Sequence, residues 1–225
     1  IASLLSKPRY FRSVLLWARY FKPFVGLLGR RFAPAIDMAP TDIPKNQILV
    51  GRKVYPAEGA KRMRVALLAG CAQQALRPSI NYSTIRVLNR LGCEVVVVNG
   101  EGCCGALDHH MGDVTSSQNR ARALIVGWEN ERGKEGLDAI VVNTSGCGSH
   151  IKDFGHLFQD HDEWKEPATR VASLTRDISE IIDSMAPTGV QRMVKSESFT
   201  AASILFSTES ILSSLAFLRT LPELS

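Results

Sequence analysis

Three short apolar runs, each followed by a glycine and a cysteine, constrain the fold of this chain more than any other feature. The runs are 64–69 (RVALLA), 94–99 (EVVVVN) and 138–143 (DAIVVN). Helical patterns predict helices at 79–91, 113–131, 151–158 and 170–185. Because nearly continuous apolar strands alternate with helices, the sequence predicts an α/β domain with an open parallel sheet and helices on both faces.

Four cysteines come two to five residues after the ends of these strands: Cys71, Cys103, Cys104 and Cys147. The carboxyl ends of parallel strands lie along one edge of a sheet, where α/β proteins bind ligands. We therefore expect the four thiols to converge, and we interpret them as ligands of a soft metal centre, either an iron–sulfur cluster or zinc. The adjacent pair Cys103-Cys104 favours a cluster, which can offer the two sulfurs separate iron atoms. The plainer alternative is a set of small buried residues that happen to be cysteine.

Three histidines are additional ligand candidates. His109 and His110 follow the cysteine pair and are expected to begin the long helix beyond it, and His150 comes three residues after Cys147. Cys93 precedes the second strand, at the opposite edge, and is expected to be a buried core thiol. His156 is expected to serve packing or to lie at the surface.

The two ends of the chain depart from the strand–helix alternation. Residues 8–28 combine cations with apolar side chains at helical spacing, and seven cations precede the first acidic residue, Asp37. This predicts a basic amphipathic helix, which can lie on an anionic membrane surface, pack on a partner or cover the domain's own core. Residues 33–60 contain several prolines and are predicted to be a linker. Residues 191–225 are rich in Ser and Thr and form an atypical tail.

Several classes of function lack their motifs. The sequence has no run of about 18 uncharged apolar residues, so it predicts no transmembrane helix. It has no glycine-rich nucleotide-binding motif and no serine-hydrolase elbow, and its basic segment accompanies no nucleic-acid-binding fold, so no nucleic acid partner is expected. Five cysteines without the dense spacing of a secreted scaffold favour a reducing compartment and a cytoplasmic protein.

The order of the cysteines resembles that of the cysteine-rich CCG domain: Cys71, 31 intervening residues, then Cys103-Cys104-Gly105 and then Cys147. This domain occurs in heterodisulfide reductases and related iron–sulfur oxidoreductases. The local amino-acid sequence is similar to that of glycolate oxidase iron–sulfur subunits over about residues 8–188. The matching segments are 67–73 (LLAGCAQ), 102–107 (GCCGAL), 109–112 (HHMG), 145–148 (SGCG), 152–156 (KDFGH) and 173–178 (SLTRDI).

The resemblance implies an iron–sulfur electron-transfer subunit of an oxidoreductase that converts glycolate to glyoxylate. It implies a cluster of the 4Fe–4S type on Cys71, Cys103, Cys104 and Cys147, and FAD on partner subunits. Electrons would pass from these flavin-containing subunits toward a membrane acceptor. The basic helix in residues 8–28 would then suit the inner face of the cytoplasmic membrane or docking to the complex.

The chain also departs from the family pattern. It begins at Ile1 and lacks the ferredoxin-like cysteine motifs and the second CCG repeat, which is expected near residue 190. His150 stands where the general pattern ends in a further cysteine. We therefore expect a middle fragment that is inactive alone, with the domain bounds 1–32, 33–60, 61–190 and 191–225. A zinc-binding or thiol-redox domain and a non-catalytic docking fragment of the same complex remain alternatives.

Overall fold

The computed structural model describes residues 6–23, 36, 39, 40, 42–44 and 47–185. The chain divides into two compact units, Ile1–Ile181 and Ile182–Ser225, and only the first four residues of the second unit are described. The described strands are β1 (Lys53–Tyr55), β2 (Met63–Leu67), β3 (Cys93–Val97), β4 (Ala139–Val142) and β5 (Thr175–Asp177).

Helices connect these strands and flank them. The described helices are α1 (Pro8–Phe21), α2 (Ala72–Leu76), α3 (Ser79–Arg90), α4 (Ala106–His110), α5 (Val114–Glu135), α6 (Ser145–Lys152), α7 (Phe154–Leu157), α8 (Asp162–Leu174) and α9 (Ile178–Met185). Asp113 caps α5, because its carboxylate accepts a hydrogen bond from the backbone N–H of Ser116 at 3.0 Å.

The strands form one sheet in the order β1-β3-β2-β4-β5. Strands β2 to β5 are parallel, with Val65 opposite Val95 and Ala66 opposite Ile140, whereas β1 runs antiparallel to β3 at one edge. From β2 the chain continues to β3, which pairs with one side of β2. The next strand along the chain, β4, pairs with the other side of β2. The boundary between β2 and β4 is therefore the switch point at which open α/β sheets bind ligands.

Both faces of the sheet are covered. Alternate strand residues such as Ala66, Val96 and Ile140 join a core that includes Trp128 of α5 and Phe154. The residues between them, such as Val65, Val95 and Val141, are equally inaccessible to solvent, and α3 packs beside β3. The predicted α/β class with an open sheet is confirmed, but the sheet predicted to be parallel is only mostly so, because β1 runs antiparallel to β3.

Some elements differ from the sequence-based expectation. The prediction of a single helix at 170–185 is wrong, because α8 ends at Leu174 and strand β5 separates it from α9. Strand β5 is short and polar, so it carries no apolar signal. The helix predicted at 151–158 is two helices, α6 and α7, and α6 begins already at Ser145. Strand β1 lies in the segment predicted as a linker and makes the sheet not entirely parallel.

The amphipathic helix predicted in residues 8–28 is present as α1. Leu15 is buried against Ala39, Ile43 and Ala75, while Trp17 on the other side of the helix is 64% exposed. Residues 24–28 and the tail predicted at 191–225 lie outside the described residues, and the domain bounds stay a prediction. No helix in the described part of the chain is long and apolar enough to cross a membrane.

A buried network of ion pairs lies at the amino ends of the strands, opposite the end of the sheet that carries the cysteines. The guanidinium of Arg64 at the start of β2, whose side chain is 3% exposed, donates to Glu131 at 2.7 Å and to Glu94 at 2.8 Å. It also donates to the carbonyl of Gly136. Glu131, 2% exposed, accepts a further bond from Arg52 at 2.8 Å. Full pairing is what makes these buried charges tolerable.

Candidate metal centre

The three central strands, β2, β3 and β4, each lead into a segment that carries cysteine. These segments lie at the edge of the sheet formed by the carboxyl ends of the strands. Cys71 follows β2 and is the N-cap residue of α2. Cys103 and Cys104 lie between β3 and α4, and both are buried. Cys147 follows β4 but lies in the first turn of α6, because this helix begins two residues before it. No disulfide joins any of the five cysteines, all of which are in the described part of the chain.

The four thiols make a continuous row. The side chain of Cys103 neighbours that of Cys71 on one side and that of Cys104 on the other, and Cys104 also neighbours Cys147. The structure therefore brings together the four cysteines that the sequence selects, although they come from three separate loops. Their role as metal ligands stays a prediction.

Negative charge is concentrated at Cys103. Its pKa is lowered to about 2, first because the thiols of Cys104 and Cys71 lie beside its sulfur as potential hydrogen-bond donors, and then because the backbone N–H of Gly105 donates to it at 3.5 Å. The guanidinium of Arg120 adds electrostatic stabilisation. The pKa of Cys71 and that of Cys104 are raised, first because the neighbouring sulfur of Cys103 favours their protonated forms. The row thus favours negative charge on Cys103 rather than on Cys71 or Cys104.

A glycine is required directly after the cysteine pair. Gly105 has a φ of 91°, in the left-handed region, and is the N-cap residue of α4. A Cβ at this position would lie 2.8 Å from the backbone oxygen of Ser117 and 3.0 Å from its side-chain oxygen. The tight turn and the close approach to α5 together bury Cys104 at the sheet edge.

Two of the candidate histidines lie together beside the row. His150 of α6 is 8% exposed, and its Nε2 hydrogen-bonds with the hydroxyl of Ser117 at 3.2 Å. Its ring lies 5.2 Å from that of His109, whose Nδ1 is buried without a hydrogen-bond partner. Burial and then the neighbouring His109 lower the pKa of His150. A neutral His150 ring is therefore favoured near neutral pH.

His110 is placed differently. It is exposed, and its ring packs edge-on against that of His109, with 6.1 Å between the ring centroids. The expectation that His109 and His110 begin the long helix is wrong, because they end the short helix α4 and α5 begins only at Val114. Gly112, with a φ of 83°, makes the turn between the two helices.

A half-buried acid adjoins the thiol row. The carboxyl group of Glu101 is enclosed and accepts hydrogen bonds from the backbone N–H groups of Ala69 and Val98 and from the indole of Trp128, all at 3.2–3.3 Å. Burial raises its pKa to about 8, although these three hydrogen bonds favour the charged form. Glu101 thus ties the end of β2 to the end of β3, two residues before Cys103.

Sequence reasoning missed several residues that shape this edge, notably Glu101, Arg120 and Asn81. Arg120 forms an ion pair with the buried Asp108 and neighbours Cys103. A signal for Asn81 exists, because it shares the spacing of the buried residues Thr84, Ile85 and Leu88 on α3 and is itself buried. A polar residue on an apolar face must find hydrogen-bond partners in the interior.

The remaining placements are simple. Cys93 lies in β3 and is fully buried, as predicted for a core thiol. His156 is exposed on α7. Among the described residues, no group of three or more histidine, cysteine or acidic side chains is arranged around one point as the ligands of a metal ion. The chemistry of the donor set nevertheless fits a soft metal centre, because four sulfurs line one edge and carboxylates do not take part.

Comparison with known proteins agrees with the cysteine pattern. Residues 65–152 match the model of the CCG family, described as a cysteine-rich domain. This range contains all four cysteines of the row. No solved structure matches the chain at a significant level.

The chain is also similar to curated bacterial proteins. It is 35% identical over 158 residues to the glycolate oxidase iron-sulfur subunit of Escherichia coli (strain K12), which covers 70% of this chain and 37% of that protein. It is 30% identical to the probable glycolate oxidase iron-sulfur subunit of Bacillus subtilis (strain 168), covering 63% and 31%. Lactate utilization protein A of Bacillus velezensis is 31% identical, covering 53% and 48%. The chain thus spans about a third of the length of the glycolate oxidase relatives.

Proposed function

We propose that residues 65–152, which form a cysteine-rich domain of the CCG family, hold an iron–sulfur cluster for electron transfer in a glycolate-oxidising complex. The observation that carries this proposal is the row of thiols formed by Cys71, Cys103, Cys104 and Cys147 at the switch-point edge of a parallel sheet. We assign these four cysteines as the ligands and a 4Fe–4S cluster as the group they hold.

The residues of the row suit this task. A row of sulfurs can offer separate ligands to separate iron atoms, and the cluster supplies a site that takes up and releases single electrons. The lowered pKa of Cys103 favours its thiolate, and thiolates are the form that binds metal. Burial of Cys103 and Cys104 excludes water from the centre of the row. The N–H of Gly105 stabilises negative charge on sulfur.

The names of the relatives guide the choice of partners and substrate. Two similar proteins are named as iron-sulfur subunits of glycolate oxidase, and others are named for lactate utilization. We propose that flavin-containing subunits with FAD oxidise glycolate to glyoxylate and pass electrons to this subunit. The chain then passes them toward an acceptor in the membrane.

We extend the proposal to α1, which we place on the inner face of the cytoplasmic membrane of a bacterium. Its outward side exposes Tyr10, Trp17 and Tyr20 by 63%, 64% and 71%. Its ends and polar side carry only cations, and α1 has no acidic residue. Exposed aromatic rings beside arginine and lysine favour the interface of an anionic bilayer.

The metal content of the 225-residue chain tests the central proposal. After anaerobic purification or reconstitution with iron and sulfide, we expect a brown protein that contains iron and acid-labile sulfide. A colourless protein with four freely alkylated thiols would overturn the cluster. One zinc per chain without visible absorbance would overturn it in favour of a zinc-binding domain.

Substrate oxidation is tested in the assembled complex. With the flavin-containing subunits present, glycolate is expected to bleach the visible absorbance of the cluster faster than lactate does. Bleaching by lactate alone would contradict the glycolate assignment while leaving the cluster in place. No bleaching by either acid in a cluster-loaded complex would contradict the electron-transfer role.

Membrane binding is tested with vesicles. The chain is expected to sediment with phosphatidylglycerol vesicles and much less with phosphatidylcholine vesicles. The Trp17→Ala variant should lose most of this binding, whereas Val126→Ala, which changes a 47% exposed residue on α5, should not. Equal binding of both variants and the unchanged chain would contradict a role for α1 at the membrane.

A further inference from the structure

A network of side-chain amides joins the loop of Cys71 to the loop that leads to Cys147. Asn81 of α3, which is 1% exposed, lies at its centre. The Nδ2 of Asn81 donates to the backbone carbonyl of Ala69 at 2.8 Å, two residues before Cys71. Its Oδ1 accepts from Gln73 at 2.6 Å, two residues after Cys71. Asn81 therefore holds the Cys71 loop from both sides.

The same side chain reaches the loop after β4. The Nδ2 of Asn143 donates to the Oδ1 of Asn81 at 3.0 Å and to the hydroxyl of Thr84 at 2.9 Å. Asn143 is the residue directly after β4, and the loop continues through Thr144 to Cys147. The backbone N–H of Cys147 donates to the carbonyl of Thr144 at 3.1 Å, so the position of Thr144 governs that of Cys147.

Gln73 connects the two loops directly. Its Nε2 donates to the Oδ1 of Asn143 at 3.0 Å, and its Oε1 accepts from the hydroxyl of Thr144 at 2.7 Å. We call Asn81, Gln73, Asn143 and Thr144 the amide bridge. It spans the boundary between β2 and β4, which is the switch point of the sheet.

The bridge holds the two ends of the thiol row. Cys71 and Cys147 are the terminal members of the row, and each touches the buried cysteine pair between them. The separation of the Cys71 and Cys147 loops therefore fixes whether both terminal sulfurs can reach one bound group. Strands β2 and β4 end at Leu67 and Val142, and a backbone hydrogen bond from the N–H of Leu68 to the carbonyl of Val141 at 3.0 Å extends their pairing to the start of the Cys71 loop.

We infer that Asn81 is a positioning residue of this centre, which sets the separation of the Cys71 and Cys147 loops through the amide bridge. The inference rests on the proposed function, because it assigns the row as the ligand set. Removal of the Asn81 amide leaves Gln73, Asn143 and the carbonyl of Ala69 without a shared buried partner. Outer-shell partners of metal ligands change metal affinity by roughly 10- to 100-fold when mutated.

Four variants of the full chain test the inference. Asn81→Ala removes the centre of the bridge, and Thr144→Val removes one hydroxyl at its accessible end. Asn81→Asp keeps the oxygen that accepts from Gln73 and Asn143 and tests rescue. Asn89→Ala is the matched control, because Asn89 is also on α3, is 7% exposed, and donates instead to the carbonyl of Pro56.

The first measurement uses the reconstituted protein. We expect Asn81→Ala to release iron to a chelator about tenfold faster or more than the unchanged chain, and to shift the reduction potential and the electron paramagnetic resonance of the cluster. Thr144→Val should show a smaller change, and Asn81→Asp should lie between. Asn81→Ala with the rate, potential and spectrum of Asn89→Ala would overturn the inference while the cluster itself remains established.

The second measurement uses metal-free, reduced protein and a short bismaleimide, with peptide mass spectrometry to count Cys71–Cys147 cross-links. The yield is expected to fall severalfold in Asn81→Ala and to be unchanged in Asn89→Ala. Equal yields in both variants overturn the inference. If the unchanged chain takes up no cluster, the proposed function fails, and this cross-linking result alone decides whether Asn81 positions the two loops.

Discussion

The thiol of Cys103 lies beside the thiol of Cys71, although 31 residues separate them in the chain. Parallel pairing of β2 with β3, with Val65 opposite Val95, ends both strands at the same edge of the sheet. The loops that follow therefore meet. Gly70, with a φ of 72° in the left-handed region, makes the turn that leads from β2 into Cys71.

Replacement of Cys103 by alanine is expected to abolish cluster binding, because Cys103 contacts the thiols on both sides of it in the row. Iron and acid-labile sulfide per chain, measured after reconstitution, should fall to near zero. Cys93→Ala is the matched control, since Cys93 is buried at the opposite edge of the sheet. It is expected to cost about 1 kcal/mol of unfolding free energy and to keep its iron. Equal iron in both variants would contradict the ligand assignment.

Glu101 is expected to make the metal-free protein less stable as the pH rises. Its pKa is about 8 in the folded state against 4.5 for an unperturbed carboxyl, so the unfolded chain releases this proton first. Between about pH 4.5 and 8 the folded state binds the extra proton, and the free energy of unfolding therefore falls as the pH increases. Below about pH 4.5 this contribution is fully present.

The variant Glu101→Gln removes this titration while keeping the shape of the side chain. Relative to the unchanged chain, it should gain about 4 kcal/mol in unfolding free energy between pH 4.5 and 8. Urea unfolding of reduced, metal-free protein at several pH values measures this difference. A constant difference between the two proteins across that range would show that the carboxyl group has an ordinary pKa.

The strands that carry the cysteines were predictable, because a buried parallel strand is apolar on both faces and leaves a continuous run of valines, as in β3. Each glycine-cysteine segment comes just after one of these strands, and this position predicted that the thiols meet. Strand β5 was not predictable, since Arg176 is exposed and the strand has only three residues. Its place depends on pairing with β4, which is a tertiary interaction.

The groups that support the thiol row were also hidden in the sequence. The hydrogen bonds of Asn81 reach residues that follow two different strands, and no local pattern records such partners. The raised pKa of Glu101 arises from enclosure by Trp128 and by the ends of β2 and β3. A pattern of residue types indicates which thiols converge, whereas burial and long-range pairing decide their protonation.

Gly105→Ala is expected to destabilise the protein by about 2–4 kcal/mol, since it combines a left-handed φ with a Cβ placed 2.8 Å from the Ser117 backbone oxygen. The strain should also displace Cys104 and lower the iron content. Gly102→Ala is the control, because a Cβ there meets no atom within 4 Å. Thermal and urea unfolding measure the effect, and similar stability of the two variants would contradict a close packing of the turn on α5.

Glu131→Gln is expected to destabilise the protein by about 3 kcal/mol at neutral pH, because it removes a negative charge that pairs with the buried guanidinium of Arg64. The hydrogen bond from Arg52 comes first among the causes that lower the pKa of Glu131 to about 2, and those from Arg64 add to it. The pair therefore contributes stability above about pH 4.5 that is lost as the pH falls toward 2.

The difference between Glu131→Gln and the unchanged metal-free chain should accordingly shrink as the pH falls from about 4.5 to 2. Glu166→Gln is the matched control, because Glu166 also pairs with an arginine, Arg170, but its side chain is 83% exposed. Exposed pairs contribute little, so this variant should unfold at nearly the same urea concentration as the unchanged chain. A Glu131→Gln variant as stable as Glu166→Gln would mean that Glu94 and the carbonyl of Gly136 satisfy the Arg64 guanidinium without Glu131.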